Sequence, residues 1–189
     1  MKTYMFSDPH FGDENLFRMT RRCLDFASVH DCDEAIINNW NEIVKDEDTV
    51  YLLGDIGDIA NNMNYISECL EKLNGYIILI LGNHDREAFH DDIDAAQMWF
   101  DQNNIGQVIQ YPIIIDNFYI LSHEPVYVNY QSPMANIFGH VHDNCMYRTV
   151  SARSYCVCPE RTDYRPVDFE DIKLRIKHAD DPPKEGAKK

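Results

Sequence analysis

Five short polar clusters, each placed where an apolar run ends, constrain this chain more than any other feature. They are Asp8-Pro9-His10, Gly54-Asp55-Ile56-Gly57-Asp58, Gly82-Asn83-His84-Asp85, Ser122-His123-Glu124 and Gly139-His140-Val141-His142. The runs before them are Thr3-Tyr4-Met5-Phe6, Val50-Tyr51-Leu52-Leu53, Tyr76 to Leu81, Phe118-Tyr119-Ile120-Leu121 and Asn136-Ile137-Phe138. All are short and rich in β-branched or aromatic residues, which predicts buried strands. Carboxylates, amides and imidazoles at the carboxyl ends of several buried strands make the rim of a site. Carboxylates crowded there would repel one another and be costly to desolvate, so the pattern calls for a cation between them.

The donor set narrows the cation. His10, His84, His123, His140 and His142 lie in the clusters with Asp8, Asp55 and Asn83. Mixed nitrogen and oxygen donors without thiolates suit Mn, Fe or Zn better than Ca or Mg, which take oxygen shells. One zinc takes about four ligands, so this set predicts two divalent ions sharing a carboxylate. Two such ions about 3.5–4 Å apart activate water and stabilise both the attacking and the leaving oxygen at phosphorus. Hydrolysis of a phosphate ester follows more readily than redox chemistry.

The order Asp-x-His, Gly-Asp-x-x-Asp, Gly-Asn-His-Asp, His, Gly-His-x-His resembles the calcineurin-like metallophosphoesterases. The stretch Ser7-Asp8-Pro9-His10-Phe11-Gly12-Asp13-Glu14-Asn15 is similar to the opening of a small single-domain bacterial and phage branch of that family. Asn39-Trp40-Asn41, Leu73-Asn74-Gly75 and Asp163-Tyr164-Arg165-Pro166-Val167 extend the likeness to about residue 175. The resemblance implies an α/β fold, the four-layer α/β/β/α sandwich, and hydrolysis by metal-bound hydroxide. It implies Asp8, His10 and His142 on one metal, Asn83, His123 and His140 on the other, and Asp55 bridging. His84 would stay off the metals and face the phosphate, as general acid or transition-state donor. Asp85 would orient the His84 ring, and Asp58 would support the motif or start a helix. The branch has histidine where this chain has Asp13, and an aspartate there would oppose a second negative charge on the substrate. Asn15 and Arg18 are the expected substrate contacts. Arg18, Arg21 and Arg22 follow Asn15 on a predicted helix from which they could reach a phosphate, and otherwise read as a solvated helix face.

Charge and composition bear on partners. The formal net charge is −15, with 44% hydrophobic and 26% charged residues among 189. An acidic surface disfavours extended nucleic acid, which needs basic side chains against phosphates, but leaves a small phosphorylated substrate open because bound cations dominate the local field. A nuclease for short oligonucleotides shares the chemistry, and a non-catalytic metal-binding scaffold for a protein partner is the remaining class. The filled ligand positions and His84 argue against the scaffold. The six cysteines form neither Cys-x-x-Cys pairs nor a disulfide framework. Cys156 and Cys158 share one face of a strand-like run, where packing explains them. No apolar run is long enough for a membrane span, and Met1 leads straight into the first strand, so a cytoplasmic protein with reduced thiols is expected.

Periodicity predicts helices over about 14–26, over about 33–45, around Met63, Ile66, Leu70 and Leu73, and over about 168–177. Ile113-Ile114-Ile115 and Phe118 to Leu121 flank Asp116-Asn117 as a hairpin. One domain, residues 1–178, is expected, with a disordered tail over 179–189 and a site open to solvent.

Overall fold

The first apolar run forms β1 (Thr3–Phe6), whose side chains alternate between two cores, as a strand buried on both faces requires. Tyr4 and Phe6 face one core and Met5 the other. In the computed structural model, which describes residues 1–129 and 131–179, β1 sits in a five-stranded sheet ordered β10-β1-β2-β3-β4. β2 (Thr49–Leu52), β3 (Tyr76–Ile80) and β4 (Ile105–Ile109) run parallel to it, and β10 (Val167–Asp168) antiparallel. The second sheet is ordered β5-β6-β7-β9-β8. β6 (Tyr119–Ser122), β7 (Ala135–Phe138) and β9 (Ser154–Cys156) are parallel there. β5 (Ile113–Ile115) and β8 (Val150–Ser151) are the antiparallel edges.

Helices α1 (Glu14–Met19), α2 (Arg22–Asp25), α3 (Val29–Ile43), α4 (Ile59–Leu70), α5 (Asn83–Ala88) and α6 (Ile93–Asp101) precede the second sheet. The stripe Cys32, Ile36, Trp40 of α3 and Ile59, Ile66, Leu70 of α4 pack on Phe6, Leu52 and Leu79. Trp40 lies edge-on to Phe6 at 5.7 Å between ring centroids, worth about 0.5–1.5 kcal/mol beyond simple burial. Between the sheets, Met5, Leu53 and Ile80 meet Leu121, Ile137, Tyr155 and Val157. Helix α7 (Phe169–His178) adds Phe169, Ile172 and Ile176 to that second core. The architecture is the expected α/β sandwich.

Several expectations need correction. The helix over 14–26 is two short helices, because Thr20 is extended and its hydroxyl donates to the Leu16 carbonyl, ending the first turn run. Helix α3 starts earlier than expected, where the Ser28 hydroxyl accepts from the Asp31 N–H. Helix α4 begins at Ile59 and leaves Leu73 beyond its end, while Met63 is largely exposed. Helix α6 and β4, whose periodicity is weak, are not among the predicted elements; Asp92 caps the one, and a register shift at Ile77 and Ile78 admits the other beside β3. The hairpin turns at Asp116 and Asn117, both at positive φ. Of the expected tail, residues 180–189 lie outside the described residues.

Candidate metal centre

All five clusters lie at one end of the sandwich because the strands that precede them are parallel within each sheet. Backbone bonds tie the loops together. The Asp8 N–H donates to the Gly54 carbonyl at 2.9 Å, the Phe11 N–H to Ile56 at 2.8 Å, and the Gly139 N–H to His123 at 2.9 Å. Two glycines permit the close approach. A Cβ on Gly82 would stand 2.1 Å from Asp55 Oδ1, and one on Gly139 would stand 2.3 Å from Asp8 Oδ2. Asp8, His10, Asp55, His140 and His142 all have left-handed φ, between 47° and 66°. Non-glycine residues rarely hold that conformation, and it concentrates where surrounding structure enforces a functional geometry.

Two groups of donor atoms converge, and a third, made of His10, Asp55 and His84, overlaps both. Asp8 Oδ1 lies 3.9 Å from His10 Nε2 and 3.8 Å from His142 Nε2. His123 Nε2 lies 3.0 Å from Asn83 Oδ1 and 3.1 Å from His140 Nδ1. Asp55 Oδ2 stands between the groups, 3.6 Å from His10 Nε2 and 3.2 Å from His123 Nε2. The remaining oxygens are engaged: Asp8 Oδ2 accepts from the His140 N–H at 2.8 Å, and Asp55 Oδ1 from the His84 N–H at 2.9 Å.

Acceptor-only partners set the tautomers of three rings. Asp13 Oδ2 lies 3.2 Å from His10 Nδ1, Glu160 Oε1 lies 3.2 Å from His142 Nδ1, and the Leu53 carbonyl lies 2.7 Å from His123 Nδ1. Each Nδ1 therefore carries a hydrogen, and each Nε2 is turned into the site. Buried His10 Nε2 and Asp8 Oδ1 have no hydrogen-bond partner. Orphaned acceptors converging at such separations are what donors about 2.0–2.2 Å from a shared cation require. Electrostatics agrees. Burial alone would lower the His123 pKa, but Asp8 and Asp55 outweigh it and raise it to about 10, so the pocket holds a proton where it lacks another cation. The residues fit a metal centre.

The remaining expected site residues are placed as follows. His84 is exposed at the rim, with its ring edge-on to His10 at 5.2 Å. Asp85 does not orient that ring. Its carboxylate is fully buried and accepts the N–H groups of Asp55 at 2.7 Å, Ile56 at 3.0 Å and Gly82 at 2.9 Å. It fastens the second cluster to the third, since a short side chain at the third position of α5 reaches back to those amides and not to its neighbour's ring. Asn15 is exposed in the first turn of α1. Arg18 pairs with Glu14 at 3.1 Å on an exposed helix face. Asp58 stands at the N-terminus of α4.

Asp13 does not face outward toward a substrate. One oxygen meets His10 and the other accepts the Leu16 N–H at 2.9 Å, capping α1. Burial pushes its pKa up, but the bonds from His10 and Leu16 prevail and hold it at about 2.

Arg22 and Glu160 are the residues that sequence reading missed. Arg22 is neither solvated nor turned to a phosphate. It is buried and donates at 2.7 Å to each of Glu160 Oε1, the Pro9 carbonyl and the Asp8 carbonyl. Glu160 joins this support to His142, across a sequence separation of 138 residues from Arg22. Burial would raise its pKa, but Arg22 and His142 hold it at about 2. No local pattern marks Glu160. The basic triplet was a signal for Arg22, but not for the direction in which it points.

A stretch of the uncharacterized protein MJ1445 of Methanocaldococcus jannaschii is 41% identical over 85 residues, 45% of this chain and 47% of that protein. The Gene 66 protein of Mycobacterium phage L5 is 30% identical over 135 residues, 65% of this chain and 63% of that one. The chain thus spans about half to three fifths of the length of these curated relatives. A crystal structure of an Aquifex aeolicus protein of unknown function, AQ665, superposes with a TM-score of 0.66 at 25% identity, over 92% of this chain and 98% of that one. Residues 1–143, which end one position past the last ligand candidate, match the calcineurin-like phosphoesterase family. The chain belongs to that family.

Proposed function

We propose that the chain is a dinuclear metal-dependent phosphoesterase that hydrolyses a small phosphodiester or phosphomonoester. The position of Asp55 Oδ2, within 3.6 Å of donors from both groups while its other oxygen is tied to the His84 backbone, carries the reading. Asp8, His10 and His142 would hold one ion and Asn83, His123 and His140 the other, with Asp55 shared. When bound, two Mn, Fe or Zn ions supply an acidified water as nucleophile and neutralise charge at phosphorus.

The chain's own residues supply the rest. The Nδ1–H bonds to Asp13, Glu160 and Leu53 keep three imidazoles aimed, so little reorganisation is needed when substrate arrives. His84, exposed at the rim beside His10, is placed to donate a proton to the leaving oxygen or a hydrogen bond to a phosphoryl oxygen. Its exposure and that of His140 support an open cleft that takes a small phosphorylated molecule. The net charge of −15 supports a small substrate over extended nucleic acid.

The test is a screen of Mn-, Fe- and Zn-loaded protein against mono-, di- and cyclic phosphate esters, with metal content measured by elemental analysis. Two ions per chain and turnover of a small ester are expected, with both ions weakened in Asp55→Asn. One tightly bound ion, or an Asp55→Asn variant holding two as before, would refute the shared-carboxylate site.

A further inference from the structure

The two donor groups are backed differently. In the first, both imidazoles donate Nδ1–H to carboxylates: His10 to Asp13 at 3.2 Å and His142 to Glu160 at 3.2 Å. In the second, His123 donates to a neutral carbonyl, that of Leu53. An anionic acceptor pulls the Nδ1 hydrogen and makes the opposite nitrogen a stronger donor to a metal. The two carboxylates differ as well. The charge of Glu160 is answered by Arg22 at 2.7 Å, whereas the Asp13 carboxylate has only the His10 N–H and the Leu16 amide as its hydrogen-bond partners among the described residues. Asp13 is held to this task by geometry. As N-cap of α1 it has extended backbone, φ −87° and ψ 90°, and one oxygen fixed on Leu16, which leaves the second oxygen against a ring that is 1% exposed.

We propose that Asp13 is a positioning residue for the metal centre: it locks His10 with its hydrogen on Nδ1, and makes the Asp8–His10–His142 position the tighter of the two and the first to fill. The inference rests on the dinuclear reading above. It replaces the role of repelling substrate with one of building the site.

Asp13→Ser separates the two jobs of this residue, because serine caps a helix about as well as aspartate but is too short to reach His10. Zinc binding is titrated in competition with a chromophoric chelator, and the imidazole nitrogens of the metal-free protein are read by long-range proton–nitrogen NMR. Wild type should bind zinc in two steps. Asp13→Ser should weaken the tighter step about 10–100-fold, the usual effect of removing such a partner, and leave the weaker step within about threefold. His10 should pass from a single Nδ1–H tautomer to a mixture, while the melting temperature of the metal-free protein stays close to wild type. Asp13→Asn, which keeps the shape and removes the charge, should fall between.

An unchanged tighter step with two steps present, a loss confined to the weaker step, or an unchanged His10 tautomer overturns the proposal and leaves the dinuclear site standing. Two equal steps in wild type overturn the loading order. A wild type that binds one ion or none overturns both readings.

Discussion

Replacing Arg22 by Met tests whether the support beneath the first cluster is as desolvated as its geometry implies. The Arg22 side chain is 2% exposed and that of Glu160 is fully buried. Three Arg22 N–H donors at 2.7 Å disappear together, one to the Glu160 carboxylate and two to the carbonyls of Asp8 and Pro9. Breaking a buried pair from one side costs about 3–5 kcal/mol, because the partner charge stays behind without compensation. At about 2–4 °C per kcal/mol for a domain of this size, the melting temperature should fall on the order of 10 °C. The measurement is thermal and urea unfolding with excess chelator, so that metal binding does not contribute.

The control is Arg22→Met with Glu160→Leu. Removing both charges should recover part of the lost stability, since apolar replacements for a buried pair are often neutral. Metal affinity should not recover, because His142 has lost its acceptor. A loss below about 1 kcal/mol, the size seen for exposed pairs, would refute the desolvation argument. So would a double variant whose loss equals the sum of the two single ones.

His84→Asn should keep both metals and lose about 10²-fold or more in turnover, whereas His123→Ala should lose metal and turnover together; kinetics with elemental analysis separates the two, and normal turnover in the first would remove His84 from the reaction. Gly82→Ala should displace Asp55, whose Oδ1 would stand 2.1 Å from the new Cβ, weakening both zinc-binding steps and destabilising by about 1–3 kcal/mol; two unaltered steps would mean that the loop yields without moving the carboxylate. Asp33 is buried with Oδ1 unpartnered, and burial raises its pKa from 3.8 to about 6 despite bonds from Gly12 and Tyr65. The native state then holds a proton that the unfolded chain has released, so stability should decline as pH rises from about 4 to about 6, by up to roughly 3 kcal/mol, and level off above. Asp33→Asn should lack this decline. Parallel stability–pH curves for the two proteins would show that Asp33 titrates alike in both states.

What could be read from the chain was local. A strand of four or five residues buried on both faces must be apolar, so Thr3–Phe6 and Tyr76–Ile80 stand out. Anything polar at their ends is set apart by contrast. Asp8, His10, Asp55 and the histidines of the later clusters are identifiable for that reason, as donors whose type and strand-end position are properties of a few consecutive residues. The Asp116-Asn117 turn was legible on the same ground, since both residues accept positive φ within a hairpin.

What surrounds the donors was decided by tertiary structure alone. Arg22 looks like its neighbours Arg18 and Arg21, and only the break at Thr20 turns it inward while Arg18 stays in solvent. Glu160 becomes its partner because the turn after β9 returns to the mouth of β1, a proximity that no window of sequence contains. Asp85 and Asp13 fail as sequence inferences for one physical reason. A carboxylate accepts from whichever N–H groups lie nearest, and these belong to Gly82, Asp55 and Ile56 for the one and to Leu16 and His10 for the other. Residue type determines what a side chain can bond; the path of the backbone determines which partner is within reach.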